Sequence, residues 1–129
     1  MDKFILLTSM FFCHIIADFC LQGILAQFKQ RKFWEENAPQ KLYQYDYIIA
    51  LLIHSFSWCF MIFAPLFIWS YYYNIDYPLF VLILSFIANI FIHAIVDNLK
   101  ANKLKINLIT DQIIHFIQII ITFLIFTQI

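Results

Sequence analysis

Four apolar stretches dominate the chain, at residues 4–26, 47–69, 79–97 and 106–126. Each holds about 19–23 residues, enough for a helix to cross a hydrocarbon layer ~30 Å thick. Barrel strands would alternate polar and apolar positions over about ten residues, and these runs do not. A backbone in lipid must satisfy its own hydrogen bonds, which overrides the strand preference of the many Ile and Phe residues. The pattern predicts an all-α polytopic membrane protein, with four transmembrane helices in an antiparallel bundle and a single membrane domain over 1–129. Loops 27–46 and 98–105 fall on one side, and a short turn at 71–78 joins the middle pair. The first stretch carries His14 and Asp18 and has no small-x-small cleavage site. It is therefore expected as a retained helix rather than a signal peptide.

Composition agrees. Of 129 residues, 64% are apolar and 12% charged, against about 45–50% and 25% in ordinary soluble domains. A soluble globule this small is mostly surface, and too few polar side chains are present to cover it. Disordered chains and disulfide scaffolds are excluded. The eight basic and eight acidic residues cancel, so no nucleic-acid partner is expected. The basic residues are unevenly placed, because all but Lys3 lie in the loops at 27–46 and 98–105. The positive-inside rule puts those loops in the cytoplasm and both termini outside, as for a multi-pass protein of a bacterial inner membrane. Tyr43, Tyr45 and Tyr47 mark one interface, and Trp69 with Tyr71, Tyr72 and Tyr73 the other.

The apolar stretches contain ionisable residues that a passive anchor would lack. His14, Asp18 and Gln22 repeat at intervals of four, as do Asn89, His93 and Asp97. Asp111 and His115 reverse the order, with Gln112 and Gln118 nearby, and His54 lies in the second stretch. Residues four apart share a helix face, so each stripe should point into the bundle. At ~1.5 Å per residue, Asp97 lies near the basic boundary and the others within roughly 8–14 Å of it, His14 a little deeper. Helices of alternating direction thus bring their polar positions to one level, as a cup near the cytoplasmic face.

Four imidazoles and three carboxylates make a mixed N/O ligand field suited to Zn, Mn or Fe. The metal candidates are His14, Asp18, His54, His93, Asp97, Asp111 and His115, enough for one or two ions. Asp18 and His54 are also candidates for the catalytic base. Gln22, Lys29, Asn89, Lys100, Gln112 and Gln118 are candidates for orienting ligands or substrate. Lys29 and Lys100, at the mouth, serve either topology and headgroup contact or the grip of a substrate phosphate. Phe28, Phe33, Trp34 and Leu42 suit loop 27–46 to the membrane surface as a partial lid. Cys13, Cys20 and Cys59 have no zinc-like spacing and are expected as small buried hydrophobes.

Three functions fit this pattern. The first is metal-dependent hydrolysis of a lipid or lipid-linked substrate, drawn from the surrounding membrane. The second is a proton- or ion-coupled transporter component, since His/Asp chains also build relays. The third is a non-catalytic interaction module whose polar core specifies helix pairing, with itself, as in a homo-oligomer, or with a partner.

The motifs also resemble a known family. His14-x-x-x-Asp18-Phe19-x-Leu21-Gln22 followed by Ala26-x-x-Lys29, then His54-Ser55, His93-x-x-x-Asp97-x-x-Lys100 and Asp111-Gln112-x-x-His115 resemble the landmarks of a bacterial and phage membrane-protein family, domain of unknown function 3307. The resemblance spans nearly the whole chain and departs at Gly23–Leu25, where a polar or bulkier connection is expected. It implies that these positions matter, and it implies no reaction. A looser likeness of pattern links the motifs to membrane-bound metal-dependent hydrolases.

Overall fold

The carboxylate of Asp2 accepts from the Phe4 N–H and opens the first helix, α1 (Lys3–Ile15). The computed structural model describes residues 2–128. Past Ile15 the helix widens into a single π turn, Ile16–Cys20, closed by the Leu21 N–H on the Ile16 carbonyl at 2.9 Å. The span ends there, at Cys20 rather than at the expected residue 26. Gly23 then adopts a left-handed φ of 47°, a conformation costing a side-chain-bearing residue roughly 1–2 kcal/mol. Two short surface helices follow, α2 (Leu25–Phe28) and α3 (Arg31–Asn37), and then a 3-10 turn at Lys41–Tyr43.

The other spans are α4 (Asp46–Tyr73), α5 (Leu79–Ala101) and α6 (Leu108–Gln128), and no strand occurs among the described residues. All four are long and apolar enough to cross a membrane. Helix α4 runs one turn beyond its expected end and stops where Asn74 turns left-handed at φ 52°. Helix α5 runs one turn further at its polar end, through Asn98 and Lys100. Helical hydrogen bonds do not stop where hydropathy falls, so interfacial polar residues extend both helices.

The spans form a ring in which α1 meets α4, α4 meets α5, α5 meets α6 and α6 returns to α1. Neighbours are antiparallel. Trp58 meets His14 while His54 meets Asp18, and Lys3 caps the Thr127 carbonyl at the far end. That far half is sealed by apolar packing of Leu6, Met10, Ile62, Phe63, Leu66 and Phe126. Outward faces carry exposed Ile, Leu and Phe along every span, as lipid contact requires. Cys59 is buried as expected; Cys13 is half-buried and Cys20 exposed, because the π turn carries Cys20 to the outer surface.

Candidate metal centre

The half of the bundle nearest the loops is polar inside. Asp18, His54, His93, Asp97, Asp111 and His115 come together there from four elements, each at most 4% exposed. The π turn carries Asp18; such bulges recur at functional sites because they re-aim one side chain within a helix. His93 and Asp97 share a face of α5, and Asp111 and His115 a face of α6, as their spacing predicts.

The separations discriminate between chemistries. His54 Nε2 lies 3.3 Å from Asp18 Oδ1 and 3.5 Å from Asp97 Oδ2. His93 Nε2 lies 3.7 Å and 3.9 Å from the same two oxygens. His115 Nε2 lies 3.5 Å from both Asp97 Oδ1 and Asp111 Oδ1. An imidazolium–carboxylate hydrogen bond would close to about 2.7–2.9 Å. Two donors each about 2.0–2.2 Å from one tetrahedral ion stand roughly 3.3–3.6 Å apart. Although they face one another at these distances, none of His54 Nε2, His93 Nε2, His115 Nε2, Asp18 Oδ1, Asp97 Oδ1 and Asp111 Oδ1 makes a hydrogen bond among the described residues. Buried polar atoms are rarely left so, since each costs about 1–3 kcal/mol, and a bound ion is a standard reason for it. Three sets of donors, each within 4.8 Å of one another, can hold an ion: Asp18/His54/His93, His93/Asp97/His115 and Asp18/Asp111/His115.

The outer oxygen of every carboxylate is held by another residue. Gln112 Nε2 donates to Asp18 Oδ2 at 3.1 Å and to Asp111 Oδ2 at 3.0 Å. Lys29 Nζ donates to Asp97 Oδ2 at 2.6 Å, and Lys100 Nζ to Asp111 Oδ2 at 2.5 Å. Such supports orient a ligand and typically change metal affinity 10–100-fold. Gln112→Leu removes the support of Asp18 Oδ2 and one of the two supports of Asp111 Oδ2. It is expected to weaken metal binding about 10–100-fold in a chelator competition titration, and an unchanged affinity would remove Gln112 from the support of the site.

His14 is not among these donor sets. The Trp58 indole N–H, which can only donate, gives its proton to His14 Nδ1 at 2.7 Å. The remaining proton is therefore on Nε2, which donates to Gln112 Oε1 at 3.0 Å. With its lone pair occupied, His14 positions Gln112 instead of binding metal. Gln22 turns back onto the Asp18 carbonyl. Asn89, Gln118 and Thr122 bond one another a turn deeper, between α5 and α6, as interhelical polar contacts. Lys29 and Lys100 both bind carboxylates of the cluster.

Trp58 and Asn102 went unrecognised in the sequence. The Trp58 ring stacks on His93 at 4.2 Å, and His93 stacks on His115 at 4.1 Å. These stacks fix the two imidazole planes, whose Nδ1 atoms also lack hydrogen-bond partners. Its place four residues after His54 was the available signal. Asn102 accepts from the Arg31 N–H and donates to the Lys29 carbonyl, pinning the stretch that sends Lys29 inward. Phe28, Phe33 and Trp34 pack together above it, near Tyr43. Leu42 stays exposed. No family model, curated protein or solved structure matches the chain.

Proposed function

We propose that this protein is an intramembrane metalloenzyme that hydrolyses a lipid or lipid-linked substrate at a divalent transition-metal centre of Zn, Mn or Fe. The observation that carries the metal reading is the convergence of six buried donor atoms that make no hydrogen bond and fall into sets within 4.8 Å of one another. His54, His93, His115, Asp18, Asp97 and Asp111 would hold the metal. Bound there, it would polarise a scissile bond and acidify water toward neutral pH. The basic loops would face the cytoplasm by the positive-inside rule, so the substrate would come from the inner leaflet. Membership in the family of domain of unknown function 3307 is part of this proposal, and the matching motif positions support it.

A transport path is less well supported, because the other half of the bundle is filled by Leu6, Met10, Ile62, Phe63, Leu66 and Phe126. Helix pairing alone explains Asn89, Gln118 and Thr122, which do bond one another, but not the His and Asp atoms that converge without making hydrogen bonds.

The test uses detergent-purified full chain, stripped with chelator and reloaded with Zn, Mn or Fe, beside His93→Ala/Asp111→Ala. Elemental analysis should find metal in the wild type and none in the double variant. Mass spectrometry of incubated bacterial lipid extract should show products only with metal. Absence of metal from folded, supplemented wild type would end the metal reading; metal without turnover of any lipid class would end the hydrolase reading alone.

A further inference from the structure

The three donor sets overlap pairwise in an informative way. The first and second share His93, the second and third share His115, and the first and third share Asp18. An imidazole nitrogen binds one ion, whereas a carboxylate readily serves two. Only the first and third sets can therefore be filled together. A single ion in either set would leave buried donors of the other without a partner, at about 1–3 kcal/mol each.

We infer that the centre is dinuclear: one ion held by His54 and His93, the other by His115 and Asp111, with Asp18 shared. The inference rests on the metal reading proposed above. Asp97 spans the same gap. Its Oδ1 lies 3.5 Å from His115 Nε2 and its Oδ2, held by Lys29, lies 3.5 Å from His54 Nε2, so Oδ1 is the oxygen left to bind an ion and Asp97 packs against the imidazoles of both shells. Paired ions about 3.5–4 Å apart serve phosphoryl and ester hydrolysis by clamping both the attacking and the leaving oxygen. Two divalent ions with Lys29 and Lys100 outweigh three carboxylates. The loaded centre is therefore cationic and selects an anionic substrate group, a phosphate ester on a lipid above all.

Stoichiometry and spin coupling test this. Detergent-purified full chain is stripped, equilibrated with Mn(II), and examined by elemental analysis and electron paramagnetic resonance. The wild type should bind two equivalents and give an exchange-coupled spectrum. His54→Phe removes a ligand of the first ion and His115→Phe one of the second, each with an apolar ring of similar size. Each variant should retain one equivalent with an uncoupled spectrum. One uncoupled equivalent in the wild type overturns the dinuclear reading while leaving the metal reading intact. Loss of both ions from either folded variant also overturns it, because the shells would not be separate. No binding to folded wild type removes both readings. If the variants do not fold, the wild-type count and coupling decide alone.

Discussion

Replacing His93 with phenylalanine is expected to leave the bundle folded and to weaken metal binding at its shell by more than about 100-fold. Loss of a supporting residue alone costs 10–100-fold, and in the proposed centre His93 would supply a ligand nitrogen directly. The ring is fully buried between Trp58 at 4.2 Å and His115 at 4.1 Å, and a phenyl ring can occupy that slot. Neither His93 nitrogen makes a hydrogen bond among the described residues, so removing them breaks none, and the carboxylates that Nε2 faces at 3.7 and 3.9 Å keep His54 and Lys29 beside them. The metal-free variant should therefore be as stable as the metal-free wild type, or more so, because burying a polar group without a hydrogen bond is itself a cost. Chelator competition reads the affinity, and thermal unfolding with and without metal reads the stability. An unchanged affinity would remove His93 from the centre. A large loss of stability in the metal-free state would make the residue a structural one.

Lys29→Met is expected to destabilise the metal-free protein by about 3–5 kcal/mol, the usual cost of removing one partner of a buried ion pair. The ammonium lies 2.6 Å from Asp97 Oδ2, with 8% of the Lys29 side chain exposed and 1% of the Asp97 side chain. Methionine keeps most of the length and leaves a carboxylate uncompensated. A divalent ion restores positive charge beside that carboxylate, so the gap between variant and wild type should narrow once metal is bound. Thermal unfolding in detergent, at matched metal concentrations, measures the gap. An equal deficit with and without metal would mean that the Lys29 side chain acts by packing between α2 and α5, and not by balancing charge.

Much of the site was legible because the bilayer is an unforgiving solvent. An Asp or His in an apolar span must turn away from lipid, so spacings of four at His93/Asp97 and Asp111/His115 were enough to put those residues inside. His14 shows the limit of that reasoning. Its spacing to Asp18 matches the others and its burial is complete, yet the Trp58 indole occupies its lone pair. Hydrogen-bond direction between two helices has no signature in the spacing of one. Lys29 shows the opposite case. A basic residue in a loop reads equally as topology, headgroup contact or the grip of a substrate phosphate, while the break at Gly23 and the grip of Asn102 send it into the core.

The sequence by itself determined the four spans, the accumulation of basic residues at one end, and the common depth of the His and Asp residues, because those follow from hydropathy, helical rise and the cost of burying charge in lipid. The tertiary structure alone decided where the first span ends, the π turn that aims Asp18, the exclusion of His14 from the donor sets, and which oxygen of each carboxylate faces inward. Those depend on contacts between residues as far apart as Lys29 and Asp97 or Asp18 and Gln112, which only the packing of the four helices brings together.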